Sequence, residues 1–264
     1  TKTRYFVKTA PKLVAKKDGG GNVMDMLHAE YMGVAEMAST NTVKVPTPIA
    51  FGESPTTTST TATTTTSFVV FEYLTFTYGC SGFELGKELA KMHKHTSLDK
   101  TFGFTINNTI GSTPQPNTPR MDNWADFWDI HRLGHMLDLT QNVGGMSESR
   151  MEELRVKTKE ILSEHDPPPS LLHGDLWGGN KGCCCCCFDS AEEEEEEVEN
   201  ENDDNKNAKK KNHKKINVIF DPATYYGDRE ADIAMTYLFG GFDTQFYDGY
   251  ESEWPLPDGH EKRR

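Results

Sequence analysis

The feature that most constrains this chain is a short segment, residues 171–180, in which an Asp and an Asn lie five positions apart. The segment reads LLHGDLWGGN, so a His-Gly turn precedes Asp175 and two glycines precede Asn180. In phosphoryl transfer, an acid so placed orients the acceptor hydroxyl and takes its proton, while the amide holds magnesium against ATP. A His-Gly-Asp turn alone is weak evidence, because an acid beside a tight turn occurs in many proteins.

Two later segments strengthen this interpretation. Asp221 follows a short apolar run and precedes Pro222, and it is a second candidate carboxylate for magnesium. Residues 227–235 then supply further acids at the predicted start of a buried helix. Asp175 and Asp221 could each merely cap a turn. The three segments in this order nevertheless predict a phosphotransferase site.

A transfer site also needs a cation for the phosphates and a carboxylate that places this cation. Lys8 ends a predicted strand, and Glu30 lies at the edge of the apolar face of the next predicted helix. Alone, a lysine at a strand end is usually just solvated. Together with Asp175, Asn180 and Asp221, the pair completes the set of groups that the reaction requires.

Composition excludes several classes of partner. The 264 residues suffice for one large domain or two lobes. The net charge of −13, with no basic stripe, argues against nucleic-acid binding. No apolar run is long enough to span a membrane, and no secretory segment is recognisable. Because the chain begins at Thr1, we expect a fragment or a processed form.

The six cysteines do not form a spaced framework. Five are consecutive, from Cys183 to Cys187, and the sixth is Cys80. Neighbouring cysteines cannot easily bridge one another, so we predict a reducing intracellular compartment, either the cytoplasm or an organelle such as a plastid. Zinc binding by this run together with His213 is an alternative, although Cys-x-x-Cys spacing is absent.

Hydrophobic periodicity predicts the order of the secondary-structure elements. The predicted strands cover residues 5–8, 45–51 and 68–74. A helix follows Asn22, its candidate cap, with Asp25 in the first turn. Further helices are predicted at residues 83–95, 122–139 and 151–162, and the aromatic stripe of the second of these is interpreted as packing.

Two low-complexity segments interrupt this pattern. The Thr-rich residues 56–66 are predicted to form a floppy hairpin tip. Residues 181–215 contain the cysteine run, six consecutive glutamates and a lysine-rich tail, and like charges of this kind predict disorder. Without this second insert, only a hairpin-sized connection separates Asp175 from Asp221, so both carboxylates are expected at one site.

Short motifs shared with one enzyme family run through nearly all of the remaining sequence. They are FVK (6–8), VPTP (45–48), FEYL (71–74), LGKELAKMH (85–93), FGF (102–104), NTIG (108–111), PQPN (114–117), HGDLWGGN (173–180), residues 221–232 and LFGGF (238–242). Together these motifs resemble the fructosamine kinase family. Its members are ketoamine kinases with the protein-kinase-like fold that aminoglycoside phosphotransferases share.

The resemblance implies a role for each matching nucleotide and metal position. Lys8 contacts the ATP phosphates and Glu30 holds this lysine. Backbone groups of Glu72, Tyr73 and Leu74 meet the adenine edge at the hinge between lobes. Asn180 and Asp221 are the magnesium ligands.

The resemblance also assigns the acceptor side of the site. Asp175 is the catalytic acid-base. Trp177 lines the sugar pocket, with core packing as the alternative. Asp232 supports the catalytic loop from beneath, and His173 is a second supporting residue.

The implied fold is α+β, a two-lobed protein-kinase-like architecture. A small sheet-plus-helix N-lobe, residues 1–74, contains the Thr-rich insert 56–66 and is expected to lack its first strands and the family's glycine-rich phosphate loop. A mainly helical C-lobe, residues 75–264, contains the catalytic loop 171–180 and the insert 181–215. The family continues past Trp254 with further helices, so we expect a truncated chain.

The implied activity is transfer of the ATP γ-phosphate to the sugar C3 hydroxyl of ketoamines, with ATP and Mg²⁺ as cofactors. The substrates are ribulosamine or fructosamine adducts of protein lysines or free glycated amines, and the biological role is protein deglycation. Two alternatives stay open. One is another small-molecule kinase of the same fold, of aminoglycoside or choline type, and the other is a non-catalytic binding module without the phosphate loop.

Overall fold

The computed structural model describes residues 3–11, 25–59, 62–140, 146–185 and 214–264. Within these ranges, an antiparallel sheet with one helix precedes a mainly helical region that carries several short sheets. None of the helices in these ranges has the length and apolar character that crossing a lipid bilayer requires.

The first sheet consists of three strands in the spatial order β1-β3-β2, all antiparallel. They are β1 (Tyr5–Pro11), β2 (Pro48–Ser59) and β3 (Ala62–Glu72). Helix α1 (Met26–Ser39) packs on this sheet. Its N-cap is Asp25, whose carboxylate accepts the N–H groups of Leu27 and His28, both at 3.1 Å. The prediction of Asp25 in the first turn was therefore wrong, and Asn22 lies outside the described residues.

The Thr-rich run extends the two strands of the hairpin. Thr56 pairs with Thr64 and Thr57 pairs with Thr63. The predicted hairpin is present, because residues 54–59 of β2 pair with residues 62–66 of β3. Only the expectation that these residues lack regular structure was wrong. The physical reason is that β-branched side chains restrict χ1 and favour extended backbone even where the sequence is uniform.

The helical region follows the first sheet. Its helices are α2 (Gly82–His93), α3 (Trp124–Trp128), α4 (His135–Thr140), α5 (Glu148–Ser163), α6 (Glu230–Phe239), α7 (Thr244–Glu253) and α8 (His260–Arg263). A π-helical turn, Asp129–Gly134, joins α3 to α4, so the predicted helix 122–139 consists of three parts. Helix α6 is buried at Ile233 but exposes Leu238 and Phe239, so the predicted burial holds only for its first turns.

Short strands position the segments between these helices. They are β4 (Phe76–Thr77), β5 (Asn108–Ile110), β6 (Thr113–Gln115), β7 (Ser170–Leu172), β8 (Lys181–Cys185), β9 (Lys215–Ile219) and β10 (Tyr225–Gly227). They form a sheet of order β4-β8-β9 and the pairs β5-β6 and β7-β10. Residues 181–185 are thus a strand, and the prediction of disorder over 181–215 was wrong at both ends. Residues 186–213 lie outside the described residues.

A disulfide joins Cys80 to Cys183. No disulfide was predicted, because five of the six cysteines are consecutive and no spaced framework is present. The two bridged cysteines lie 103 residues apart. Antiparallel pairing of β4 with β8, which places Thr77 opposite Cys183, brings them together. This pairing corrects the argument from consecutive cysteines. Cys186, Cys187 and the proposed zinc partner His213 lie outside the described residues.

The larger of two hydrophobic cores connects the first sheet to the helical region. It includes Val34 and Phe71 on the side of the first sheet, and Leu89, Leu171 and Tyr250 on the other. Full burial of side chains of this size contributes roughly 1.5–3 kcal/mol each. Because Leu171 precedes the His-Gly-Asp motif, this core fixes that motif relative to the first sheet.

Helices α2 and α7 cross with their backbones in close contact. A Cβ added at Gly86 would lie 2.0 Å from the carbonyl oxygen of Phe246, and one at Gly249 would lie 2.0 Å from that of Phe83. Glycine is therefore required at both positions for the helices to approach this closely. The crossing holds Tyr250 against α2, where its hydroxyl bonds His93 Nδ1 at 2.8 Å.

The second core is aromatic. Trp124 and Phe127 stack with ring centroids 5.8 Å apart, and Phe127 also stacks on Tyr225 at 5.9 Å. All three side chains are buried. The aromatic stripe of the predicted helix 122–139 therefore packs in the protein interior, as predicted.

Glu88 on α2 gives the protein a pH-dependent stability. Its Oε2 atom is buried and has no hydrogen-bond partner among the described residues. Burial, followed by the nearby charge of Glu84, raises the pKa of Glu88 to about 7. In the unfolded chain a Glu titrates near ~4.3. Between these values the folded protein holds the proton and the unfolded chain does not, so stability falls as the pH rises through this window.

We therefore expect Glu88→Gln to stabilise the fold at alkaline pH. The side chain is partly exposed, so solvent screening limits the gain to about 1 kcal/mol at pH 8, a shift of a few degrees in Tm. The gain should shrink towards pH 5. Thermal unfolding across this pH range measures the effect, with the exposed Glu160→Gln of α5 as control. A pH-independent difference between Glu88→Gln and the parent would contradict the assignment.

Candidate active site

His173 anchors the predicted catalytic loop at the end of β7. The ring is fully buried. Its Nε2–H donates to the carbonyl oxygen of Phe220 at 3.0 Å, and its Nδ1 accepts the N–H of Asp175 at 3.2 Å. Burial lowers the pKa of His173 and favours the neutral ring that these two bonds require. The imidazole thus ties the loop to the segment that carries Asp221.

Asp232 lies beneath the same loop. Its Oδ2 accepts the N–H of His173 at 2.7 Å and its Oδ1 accepts that of Gly174 at 2.9 Å. His93 Nε2 donates to Oδ2 at 3.1 Å. Burial alone would raise the pKa of Asp232, but the bonds from His93 and Gly174 outweigh it and hold the pKa below its usual value. Asp232 therefore stays a carboxylate that fixes the loop backbone.

Gly174 is the turn of this loop. Its φ of +79° is the left-handed conformation that favours glycine. A Cβ at this position would lie 2.1 Å from the carbonyl oxygen of Ala223. The His-Gly-Asp sequence is thus explained by a left-handed turn and a close backbone approach.

Asp175 and Asn180 are in direct contact. Asn180 Nδ2 donates to the carbonyl oxygen of Asp175 at 2.9 Å and to its carboxylate Oδ2 at 3.1 Å. Burial is the main cause that raises the pKa of Asp175, and the charges of Asp232 and Asp221 add to it, against the bond from Asn180. Asn180 uses its nitrogen for both bonds, so its side-chain oxygen is left for another partner.

Asp221 lies next to this pair and contacts the first sheet through Lys8. Lys8 Nζ lies 2.5 Å from Asp221 Oδ1 and 2.8 Å from Glu30 Oε1. Burial alone would lower the pKa of Lys8, but the charges and hydrogen bonds of Glu30 and Asp221 outweigh it and raise the pKa. The structure brings all three residues together, with Lys8 inside β1 instead of at its end.

A cleft of about 290 Å³ opens beside these groups. Its walls are Phe6, Glu30, Val34, Pro46, Phe71, Glu72, Tyr73, Leu74, Phe76, Phe220 and Asp221. The apolar walls suit a planar ring, and the charged end carries Glu30 and Asp221. The site therefore has one apolar and one ionic half.

The predicted hinge, residues 72–74, lines the cleft, and its first residue is already hydrogen-bonded within the protein. The Glu72 N–H donates to the carbonyl oxygen of Thr47 at 2.9 Å, and the Glu72 carboxylate binds Lys44 Nζ at 2.5 Å. Because its N–H is bonded to Thr47, Glu72 can offer a nucleotide only its backbone carbonyl oxygen, and the predicted contact of residues 72–74 with the adenine edge stays a prediction. Tyr73 and Leu74 are the hinge residues that follow it along the cleft.

Trp177 follows Asp175 on the same loop. Its side chain is 44% exposed, so core packing does not account for it. The ring covers Gly179, where an added Cβ would lie 2.2 Å from the indole. The Trp177 N–H donates to the carbonyl oxygen of Asp175 at 3.2 Å. Trp177 thus lies exposed beside the acid, and its contact with a sugar stays a prediction.

Sequence reasoning missed an aromatic contact in the cleft. Phe76 and Phe220 meet edge to face with ring centroids 5.4 Å apart, and both line the cleft. Phe220 directly precedes Asp221, so its place beside the site could have been inferred from the sequence. Phe76 carries no such signal, because the pairing of β4 with β8 positions it.

The arrangement defines the class of protein. The Asp175 carboxylate, amide and carboxylate oxygens of the type that hard divalent cations prefer, and a lysine held by a carboxylate lie beside an apolar cleft. Together with the sheet-plus-helix region and the helical region that follows, this is a kinase-type phosphotransferase.

A sequence model of the fructosamine kinase family matches residues 1–264. The chain belongs to the fructosamine kinase family.

Individual relatives agree with this result. The chain is 38% identical over 241 residues to a probable ketoamine kinase of Synechocystis sp., covering 90% of this chain and 68% of the relative. It is 36% identical over 265 residues to the chloroplastic protein-ribulosamine 3-kinase of Oryza sativa subsp. indica, covering 98% and 63%. A provisionally named fructosamine-3-kinase structure from Haemophilus somnus matches with a TM-score of 0.70 at 26% identity, covering 98% and 72%. The chain thus spans roughly two thirds of the length of these relatives.

These matches confirm the predicted family, the two-lobed kinase-like fold and the phosphotransferase class. As a kinase of this family, the protein uses ATP as phosphate donor with a divalent metal ion. None of these relatives is named as an aminoglycoside or choline kinase. The boundary between residues 74 and 75 and the roles of the individual site residues stay predictions.

Proposed function

We propose that this chain is a magnesium-dependent ketoamine kinase that phosphorylates the sugar C3 hydroxyl of ribulosamine and fructosamine adducts of lysine. The observation that carries the proposal is the convergence of Asp175, Asn180 and Asp221 with the Lys8–Glu30 pair at one end of the cleft. The names of the Synechocystis and rice relatives supply the acceptor class.

Asp175 is proposed to orient the acceptor hydroxyl and to accept its proton. Its Oδ2 already accepts a hydrogen bond from Asn180, which fixes the carboxylate and leaves Oδ1 for the substrate. The raised pKa of Asp175, caused mainly by burial, makes its carboxylate a better proton acceptor than that of an exposed Asp. Asp232 and His173 hold the loop from which Asp175 acts.

Asn180 and Asp221 are proposed to hold Mg²⁺. The donor set fits the ion, because amide and carboxylate oxygens are the ligands that Mg²⁺ prefers. When bound, the ion neutralises charge on the ATP phosphates during transfer. Lys8, held by Glu30, is proposed to contact the same phosphates, since its Nζ lies beside Asp221.

The nucleotide and the sugar are proposed to bind to different parts of the site. Its apolar half, next to Tyr73 and Leu74, is proposed to take the adenine ring. Trp177, exposed beside Asp175, is proposed to line the sugar site. Among the acceptors we favour ribulosamines, in agreement with the name of the rice relative. The partners are then proteins or free amines that carry such adducts.

The compartment is part of the proposal. The rice relative is named chloroplastic, and this name favours the plastid among the predicted compartments. The Cys80–Cys183 disulfide removes the argument from unpaired cysteines for a reducing environment.

The test is Mg²⁺-dependent ATP consumption by the protein with ribulose-lysine, fructose-lysine, an aminoglycoside, choline or no acceptor. We expect turnover with the two ketoamines, fastest with ribulose-lysine, and mass spectrometry and NMR should locate the new phosphate at C3. Turnover only with the aminoglycoside or choline would overturn the acceptor assignment. Nucleotide binding without turnover on any acceptor would support a binding module instead.

A further inference from the structure

Asp221 has an unfavourable backbone conformation that contacts with the surrounding residues must stabilise. Its φ is +56°, in the left-handed region that non-glycine residues seldom adopt. This conformation costs roughly 1–2 kcal/mol relative to right-handed backbone. It persists only where surrounding contacts fix the chain on both sides. The contacts of residues 220–224 therefore decide where the Asp221 carboxylate points.

On the N-terminal side, the catalytic loop provides these contacts. The Phe220 N–H donates to the carbonyl oxygen of Asn180 at 3.0 Å, and His173 Nε2 donates to the carbonyl oxygen of Phe220 at 3.0 Å. The Asn180 amide also reaches the carbonyl oxygen of Asp221 at 3.4 Å. These bonds fix the chain up to Asp221.

On the C-terminal side, two amide side chains of the β5–β6 hairpin hold the chain. Gln115 Nε2 donates to the carbonyl oxygen of Ala223 at 3.0 Å, and Asn108 Nδ2 donates to that of Thr224 at 2.8 Å. Gln115 Nε2 also donates to Asn108 Oδ1 at 2.8 Å, so the two amides form one unit. Both side chains are buried, at 5% and 4% exposure.

Burial makes these bonds hard to replace. A buried carbonyl or amide that loses its partner costs about 1–3 kcal/mol, since water cannot take the place of the missing group. That amount is comparable to the cost of the left-handed conformation at Asp221. The Ala223 N–H also donates to the carbonyl oxygen of His173 at 2.9 Å, so loss of the amide unit would loosen residues 221–224 without releasing them completely.

We propose that Asn108 and Gln115 are positioning residues that hold the Asp221 carboxylate in place for metal binding. The inference rests on the proposed metal-dependent phosphoryl transfer, and neither residue contacts the reacting groups. Removing a group that hydrogen-bonds directly to a metal ligand typically lowers metal affinity by ~10–100-fold. Asn108 and Gln115 bind the backbone three and two residues after Asp221, so the lower end of this range is expected for them. The two amides would therefore act on the metal step through the backbone of Ala223 and Thr224.

The test compares Gln115→Met and Asn108→Ser with the parent protein. Gln115→Met keeps the volume of the side chain and removes its donors, and Asn108→Ser is a second variant in case the first does not fold. Binding of Mn²⁺ in the presence of a non-hydrolysable ATP analogue is measured by EPR. The Mg²⁺ concentration at half-maximal ATP turnover is measured alongside, as are kcat, the KM of the ketoamine and Tm.

Asn107→Ala is the matched control. Asn107 adjoins β5 and accepts three hydrogen bonds, from the N–H groups of Asn117 and Thr118 at 2.7 and 3.0 Å and from the Thr118 hydroxyl at 3.0 Å. None of these bonds reaches residues 221–224. The control thus disturbs the same hairpin without releasing the segment that carries Asp221.

We expect Gln115→Met to weaken Mn²⁺ binding and to raise the half-saturating Mg²⁺ concentration by about tenfold. The KM of the ketoamine should stay within twofold, and Asn107→Ala should bind Mn²⁺ like the parent. Unchanged Mn²⁺ binding in both amide variants, or an equal loss in Asn107→Ala, would overturn the inference.

The EPR measurement tests the positioning role of the two amides independently of the proposed acceptor. If the parent binds Mn²⁺ with nucleotide but phosphorylates no ketoamine, the acceptor assignment fails while the effect of Gln115→Met still decides the positioning role. If the parent binds no Mn²⁺ with nucleotide, the proposed metal site and this inference both fail.

Discussion

Asp175→Asn is expected to lower kcat by about 10³-fold, the effect of removing a positioned proton acceptor. Asn keeps the shape of the side chain and an oxygen that can accept the bond from Asn180 Nδ2. The substitution therefore removes the proton acceptor and leaves the loop in place. Because Asp175 is not a proposed nucleotide ligand, the KM for ATP should change by less than about twofold.

Steady-state kinetics with saturating Mg²⁺-ATP and ribulose-lysine measure this effect. Asp166→Asn is the control, since Asp166 is an exposed acid shortly before the same strand. A native-like Tm for Asp175→Asn would show that the loss is chemical. A kcat within tenfold of the parent would contradict the role of Asp175 as proton acceptor.

Asp221→Asn is expected to lower activity by about 10²-fold or more at physiological Mg²⁺, because loss of a metal ligand removes several kcal/mol of charge stabilisation. Asn tolerates the left-handed backbone that Asp221 adopts. It also retains an oxygen that can accept from Lys8 Nζ. The backbone and the lysine should therefore stay in place while the anionic ligand is lost.

The Mg²⁺ dependence distinguishes this variant from Asp175→Asn. Excess Mg²⁺ should restore part of the activity of Asp221→Asn and none of that of Asp175→Asn. Asp248→Asn, an exposed substitution on α7, controls for the loss of one negative charge. If Mg²⁺ dependence were unchanged in Asp221→Asn, the metal role would belong to another residue.

The candidate site could be predicted largely from local sequence. The catalytic loop is contiguous, and its His-Gly turn, its acid and its amide are each explained by contacts within residues 173–180 or directly beneath them. The hydrophobic period likewise predicted α2 and α5 to within a few residues. These features depend on residues that are close together in the sequence, so they can be predicted from it.

Other features were missed because they depend on distant partners. The Thr-rich run forms regular strands because β2 and β3 pair with each other along its length. The Glu72 N–H pairs with the carbonyl oxygen of Thr47, and Cys80 meets Cys183 through the pairing of β4 with β8. No local pattern marks such contacts, because each is selected by which strands lie side by side.

The sequence by itself determined the chemical groups of the site, their order along the chain and the family to which they belong. The tertiary structure alone decided how these groups face one another. Lys8 and Asp221 lie 213 positions apart and form an ion pair at 2.5 Å only because the first sheet and the catalytic segment share one core. Asn108 and Gln115 of a separate hairpin likewise bind the backbone of Thr224 and Ala223, next to the left-handed Asp221. Local propensity determines the conformation of residues whose contacts lie close by in the sequence. Burial and strand pairing determine the distances between segments that are far apart in the sequence.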